Sequence, residues 1–179
     1  MRLDTPRLTM RPWQAQDLPA FAAINADPEV RRYYYPSLLT RAESDAVVDH
    51  CTRHLDRHGF AFLAVERRED GALIGGAGLS WTDDVPGGPV VEIGWILGRP
   101  FWRQGYAGEA SRAWFAQGWS LGLGQIVGYT SAINQPSRAA MASLGMSYDP
   151  RDDFRDPTVP IDNPLSPHVL YRMHRPRGR

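Results

Sequence analysis

The stretch Trp102-Arg103-Gln104-Gly105-Tyr106-Ala107-Gly108-Glu109-Ala110 follows a short apolar run over residues 90–97 and opens a segment of helical periodicity. A strand that breaks into small residues and then a helix leaves several backbone N–H groups pointing one way. The helix N-terminus adds partial positive charge. Such a place suits a phosphate or pyrophosphate, so these residues predict a cofactor site. All 20 residues of the Lys+Arg total are arginine, which excludes Schiff-base chemistry and a phosphate loop built around a lysine. Upstream, Glu92 alternates with Gly94 and Ile96, so the three share one face of their strand. A carboxylate among apolar neighbours there should titrate above its ordinary range and could take up a proton. Its other reading is a structural partner for an arginine or a backbone amide.

His50, His54 and His58 fall at successive i, i+4 positions, with Cys51 alongside. Two histidines at that spacing can bind zinc. No acidic or histidine partner is indicated for them, and Arg53 and Arg57 crowd the same helix. A solvated helix face is therefore expected, and no metal.

These groups must be held by a chain of 179 residues, long enough for one domain over residues 1–179 with its own core. Composition is ordinary for a globular protein, 42% hydrophobic and 22% charged. A formal net charge of +0 gives no field to gather nucleic acid or an anionic membrane. The single cysteine favours a reducing compartment. Residues 1–11 have no apolar run long enough for a signal peptide or a span, so a cytoplasmic protein is expected.

Alternation over residues 8–13 predicts a first strand ended by Pro12. Asp17 is positioned to cap a helix beginning at Leu18, and Asp27-Pro28-Glu29 to restart a short helix through Val30. Tyr33-Tyr34-Tyr35-Pro36 reads as loop. Thr40 and Glu43 form the S/T-x-x-E pattern that starts a helix over 40–58. Residues 60–67 and 73–81 read as strands paired around Glu69-Asp70-Gly71. A Pro/Gly-rich turn over 83–89 leads to the strand at 90–97. The helix over 105–121 should place Ala107, Ala110, Trp114, Gly118 and Leu121 on one face and stop at Gly122 and Gly124. A strand at 125–129, a helix at 135–144 ended by Gly145, and strands at 146–148 and 168–173 follow. The Pro/Asp-rich segment 149–167 is too long for a mere connector, and the basic tail 175–179 should fray. This order predicts a mixed α/β (α+β) fold: a central twisted mixed sheet flanked by helices on both faces.

With those elements in place, five segments in the right order resemble the GNAT acyltransferases, in particular the branch that acetylates N-terminal amines of ribosomal proteins. They are Thr5-Pro6-Arg7-Leu8 with Arg11-Pro12-Trp13 and Asp17; Leu73 to Leu79; Glu92-Ile93-Gly94-Trp95 with Trp102 to Ala107; Ile133-Asn134-Gln135-Pro136-Ser137 with Leu144-Gly145-Met146; and Pro164-Leu165 with residues 168–173. The resemblance covers a core of about residues 6–175.

The resemblance implies an N-acetyltransferase that moves an acetyl group from acetyl-CoA, its co-substrate, to a primary amine by direct attack in a ternary complex. Amides around Arg103, Gln104, Gly105, Tyr106, Ala107 and Gly108 would then hold the pyrophosphate. The backbone of Ile96 and Leu97 would pair with the pantetheine arm as an added strand does, with an oxyanion donor near Leu97. Trp102 stands where the general family has Gln or Arg. Glu92 becomes the base, acting directly or through water. Many relatives return a proton to sulfur from a tyrosine at the position of Met141, which cannot donate. Ser137 is the substitute the resemblance offers, though it could simply cap its helix. Asn134 fits a hydrogen bond to pantetheine or a turn residue of unusual φ. Tyr33, Tyr34, Tyr35, Trp81 and Phe101 could line an acceptor pocket, or pack in the core, and His168 could lie near the cleft or be structural. The acceptor itself, a small amine or a protein N-terminus, is left open, as is a homodimer. The rival from another class is a non-catalytic acyl-CoA-binding or regulatory domain of the same fold; a succinyl donor is disfavoured by an aromatic, uncharged pocket.

Overall fold

The structure, a computed structural model, describes residues 1–176. Nine strands form one sheet: β1 (Leu3–Asp4), β2 (Leu8–Arg11), β3 (Phe62–Arg67), β4 (Leu73–Thr82), β5 (Val90–Leu97), β6 (Gln125–Ser131), β7 (Ser147–Tyr148), β8 (Phe154–Arg155) and β9 (Pro167–His174). Four helices accompany them: α1 (Leu18–Asn25), α2 (Arg41–His58), α3 (Tyr106–Ser120) and α4 (Gln135–Ser143). The spatial order is β1-β2-β3-β4-β5-β6-β9-β7, with β8 paired to β9. All pairings are antiparallel except β5 with β6, which is parallel. No helix among the described residues is long and apolar enough to cross a membrane.

Strand alternation divides the apolar residues between two faces. Ile93 and Leu97 of β5 join the cluster under α3, with Tyr106, Ala110, Trp114 and Phe115. Ile96 joins the opposite cluster, with Phe21 of α1 and Val48 of α2. Glu92 has the parity of Ile96, so it points to the α1–α2 side. Trp114 is fully buried and anchors α3, a contribution of roughly 3 kcal/mol for an aromatic side chain of this size. Gly118 lets the same helix approach closely, because a Cβ there would stand 2.7 Å from Ile126 Cδ1.

Several details differ from the sequence expectation. Asp17 does not cap α1; its carboxylate accepts the Gln14 N–H at 2.8 Å and a two-pronged pair from Arg11 at 2.7 and 2.9 Å. Both partners are buried; removing Arg11 would leave the Asp17 carboxylate uncompensated, at a cost of about 3–5 kcal/mol, whereas Arg11 also pairs with Glu66 at 2.9 Å. Residues 27–30 form a turn rather than a helix, Asp27 Oδ1 accepting the Glu29 N–H at 2.9 Å. The apolar stripe of α3 ends at Gly118; Leu121 is 45% exposed. The 149–167 segment holds a 3-10 turn and the short β8, which accounts for its length. Arg175 is tied by its N–H to the Gly124 carbonyl at 3.0 Å rather than frayed, and residues 177–179 of the tail lie outside the described residues. Elsewhere the expected elements are present within a residue or two, including the Thr40–Glu43 capping box of α2.

Candidate functional site

The parallel pair at the centre of the sheet is where regular pairing fails. β4 and β5 are in register along eight residue pairs and β6 and β9 along seven, but β5 and β6 meet only at Glu92 and Val127. Beyond that pair, toward their C-terminal ends at Leu97 and Ser131, the two strands share no further registered pair. The wedge between them leaves β5 with a backbone edge that β6 does not cover.

At the far end of β5 the chain makes a 3-10 turn over Arg99–Phe101 and enters the loop before α3. Trp102 Nε1 donates to the Leu97 carbonyl at 2.7 Å, and Gln104 Nε2 to the Pro100 carbonyl at 2.8 Å. Arg103 has φ 59 and Gly105 φ 80. These two left-handed bends, either side of Gln104, lead the chain into the helix, a conformation that favours glycine. Glu109 N–H is the first in α3 to find a backbone acceptor, Gly105 O at 3.0 Å. The amides of Tyr106, Ala107 and Gly108 therefore point out of the helix end, and those of residues 103–105 take no backbone acceptor among the described residues. This is an anion cradle made of main chain.

The N-terminal segment braces it. Glu109 Oε1 accepts from Thr5 Oγ1 at 2.6 Å and from the Arg7 N–H at 2.9 Å, while Oε2 pairs with Arg7 Nε at 2.6 Å. Arg7 Nη1 also donates to the Gln104 carbonyl at 2.9 Å, and its guanidinium lies 4.5 Å from the centre of the Tyr106 ring. Burial works to raise the Glu109 carboxyl, but the bonds from Thr5 and Arg7 outweigh it and hold the group below its ordinary range. Arg7 thereby offsets the one carboxylate in the first turn of α3. Arg7 and Glu109 are 102 residues apart, and nothing local in the sequence joins them.

On the α1–α2 side, a cavity of about 690 Å³ gathers Glu92, Ile96, Asn134 and Ser137 from β5 and α4. Leu97 and residues 103–108 do not line it; they stand at the end of the strand and in the cradle. Glu92 is half-buried, and burial pushes its carboxyl above the ordinary range; the hydroxyls of Ser80, at 3.1 Å, and Tyr129 pull it partly back. The nearby Asp84 raises it further, and burial likewise raises the Tyr129 phenol. Tyr129 Oη is 3.4 Å from Thr82 Oγ1. The sequence reading missed Ser80, Thr82, Asp84 and Tyr129. Register counted back from the 83–89 turn would have placed Ser80 opposite Glu92; Tyr129 depends on the long-range pairing of β5 with β6.

Asn134, not Ser137, caps α4. Its Oδ1 accepts the Ser137 N–H at 3.3 Å, and its Nδ2 donates to Thr130 Oγ1 at 2.8 Å and Ser137 Oγ at 3.0 Å. Ser137 Oγ is thus an acceptor from Asn134 and retains its own hydrogen for another partner. Met141 is buried and also lines the cavity.

The histidine row is exposed at His50 and His58, as expected of a solvated face, but not at His54. His54 is 8% exposed, and its ring centre is 4.5 Å from that of His58 and 5.5 Å from that of Phe60. Its Nε2 accepts the Trp81 N–H at 3.4 Å. Burial, with His58, His50 and Arg57 nearby, lowers its pKa to about 4. Cys51 is buried beside it, and burial pushes its thiol up to about 12. His54 borders the covered face of α2, which holds Ser44, Val48 and Cys51, and its burial depends on Phe60 and Trp81 from outside the helix. Tyr33, Tyr34, Tyr35, Trp81 and His168 line the cavity, whereas Phe101 packs on the α3 cluster with Arg67 5.1 Å above its ring.

Residues 7–147 match the acetyltransferase (GNAT) domain family. An uncharacterized N-acetyltransferase, p20 of Bacillus licheniformis, is 30% identical over 79% of this chain and 80% of its own length. The crystal structure of the acetyltransferase from Agrobacterium tumefaciens superposes with a TM-score of 0.80 at 27% identity, covering 98% of this chain and 95% of that one. RimL, a ribosomal α-N-protein acetyltransferase solved in complex with coenzyme A, shares the fold at a TM-score of 0.77 and 12% identity, covering 97% of this chain and 98% of its own. The chain belongs to the GNAT acetyltransferase family, whose reaction is acetyl transfer from acetyl-CoA to an amine.

Proposed function

We propose that this chain, as a single catalytic unit including β9, acetylates a primary amine by direct attack within the wedge, with Glu92 as the general base. The supporting observation is Glu92 itself, at the base of the wedge on the cavity wall, its carboxyl raised by burial and oriented by Ser80. A raised carboxylate is a better proton acceptor near neutral pH than an ordinary one. Acetyl-CoA, when bound, supplies the activated acyl group. The amides of residues 103–108 would hold its pyrophosphate, and the uncovered edge at Ile96 and Leu97 would accept its amide-bearing arm. Asn134 orients Ser137, whose hydroxyl hydrogen is then free for the departing sulfur. On this reading Glu92 withdraws a proton from the ammonium, and backbone N–H near the end of β5 meets the developing oxyanion.

The test is the pH dependence of amine-dependent thiol release. The ionised form of Glu92 is the base. Activity is therefore expected above its raised pKa and lost as pH falls through it. Glu92→Gln should lower kcat by about 10²–10⁴-fold and abolish that acid limb. A variant that keeps both rate and limb would remove Glu92 from the role.

A further inference from the structure

A hydroxyl from outside the sheet sits on the open edge of β5: Tyr34 Oη donates to the Trp95 carbonyl at 3.2 Å. The direction of that carbonyl follows from strand alternation. The Gly98 N–H donates to the Ile74 carbonyl at 2.9 Å, so these two residues form a hydrogen-bonded pair. In the same register Gly76 with Ile96 and Gly78 with Gly94 do likewise. Trp95 and Leu97 lie between them, opposite Ala77 and Gly75, and turn their N–H and C=O away from β4 into the wedge. Both carbonyls there are met by side chains, that of Trp95 by Tyr34 and that of Leu97 by the Trp102 indole at 2.7 Å. The two N–H groups have no registered strand partner among the described residues, since β6 pairs with β5 at Glu92 alone.

A buried frame holds the hydroxyl in place. Arg31 donates from Nε to the Ser37 carbonyl at 2.9 Å, from Nη2 to the Pro36 carbonyl at 2.8 Å and from Nη1 to Asn25 Oδ1 at 3.1 Å. Asn25 Nδ2 donates in turn to the buried Ser44 hydroxyl at 3.0 Å. The Tyr34 N–H closes on the Arg31 carbonyl at 2.9 Å, and the Arg31 guanidinium lies 4.7 Å from the Tyr34 ring centre. The segment 31–37 is thus tied down by its own backbone carbonyls, and the protein itself aims Tyr34 at β5.

In an extended strand the N–H and C=O of one residue project to the same side. An oxygen received by the Trp95 N–H therefore lies beside the Trp95 carbonyl oxygen, and the two repel. A hydroxyl hydrogen on that carbonyl offsets the repulsion, most of all when the incoming oxygen becomes charged.

We propose that Tyr34 is a positioning residue for acetyl transfer: its hydroxyl caps the Trp95 carbonyl so that the neighbouring Trp95 N–H can hold the oxyanion. The proposal rests on the acetyl-transfer reading above. In that reaction the amine nitrogen bonds to the thioester carbon, the carbonyl π pair moves onto oxygen, and the pair returns as the carbon–sulfur bond breaks. Tyr34 gives up no proton in these steps and stays on its carbonyl throughout.

The experiment uses Tyr34→Phe in the whole chain. Charge on oxygen develops only as the new bond forms, so turnover should suffer more than binding. The kcat for amine-dependent thiol release should fall on the order of 10-fold, with KM for the amine within about twofold. Titration calorimetry without amine compares acetyl-CoA with S-ethyl coenzyme A, which lacks only the carbonyl oxygen. Wild type should bind the thioester more tightly; the variant should lose that advantage and hold the thioether within about twofold of wild type. Wild-type kcat in the variant, a loss confined to the amine KM, or tighter binding of both coenzyme A derivatives overturns the proposal. Where the variant fails to fold, 3-fluorotyrosine at position 34 decides, because it keeps the ring and donates more strongly. A kcat at or above wild type then upholds the cap, and a fall overturns it. Absence of turnover with every amine would instead overturn the acetyl-transfer reading. The calorimetry then settles this one: a carbonyl preference that disappears with the hydroxyl upholds it, and one absent from wild type or kept by the variant overturns it.

Discussion

The cradle over residues 103–108 and the cavity around Glu92 flank the same wedge but are built differently. The cradle uses main-chain amides from one contiguous segment, bent by Arg103 and Gly105 and braced from outside by Arg7 and Glu109. The cavity uses side chains from many elements, among them Ser80 of β4, Glu92 of β5, Tyr129 of β6 and Ser137 of α4. Backbone recognition tolerates side-chain variation, which is why Trp102 can head the cradle; its indole secures Leu97 without facing the ligand's charge. Side-chain recognition does not tolerate it, so on the proposed reading selectivity for the acceptor is expected from the cavity.

Paired substitutions can break this division. The largest effect is expected from Glu92→Gln, which should lose turnover while coenzyme A still raises the melting temperature as in wild type. Loss of that thermal shift as well would mean that the two sides are one site. Gly105→Val reverses the pattern. A β-branched residue at φ 80 is strained by about 1–3 kcal/mol, so coenzyme A affinity should fall about tenfold or more with acceptor KM little changed, as titration calorimetry and steady-state kinetics would reveal. A smaller split is expected within α4. Asn134→Ala should destabilise by about 1 kcal/mol as a lost cap. Ser137→Ala should leave stability within about 0.5 kcal/mol and lower kcat; equal denaturant midpoints for the two would contradict the capping geometry. The smallest is Arg103→Gly: relief of an αL residue is countered by a more flexible unfolded chain, so the net change should stay within about 1 kcal/mol. A large loss of coenzyme A binding would show that the arginine side chain, not its amide, is the contact.

The same contrast explains what the sequence disclosed. Residues 90–121 were readable because strand, glycine and helix are contiguous, each with its own periodicity. The mixed sheet flanked by helices followed from element order and family resemblance; the two-residue strands β1 and β8 did not, being too short for any periodicity, nor did the interruption between β5 and β6, which depends on which strands become neighbours. Glu92 was found by strand parity. Tyr129 was not, since its place beside Glu92 depends on β6 becoming the neighbour of β5. Asp17 looked like a cap because the local pattern suits one, but the buried Arg11 guanidinium offers a stronger partner.

The divergence of β5 from β6 gives the sheet a second pair of edges, inside it rather than at its rims. Exposed edges ordinarily invite pairing with a strand of another chain. Here the gap closes at Glu92 and Val127 after a single pair, so an intruding strand would find no length along which to zip. A slender arm with isolated amides needs no such length. The interior edge therefore suits a ligand with isolated amides better than a strand of another chain. Those amides of residues 93–97 that point away from β4 should exchange with solvent faster than their central position implies, until a ligand covers them.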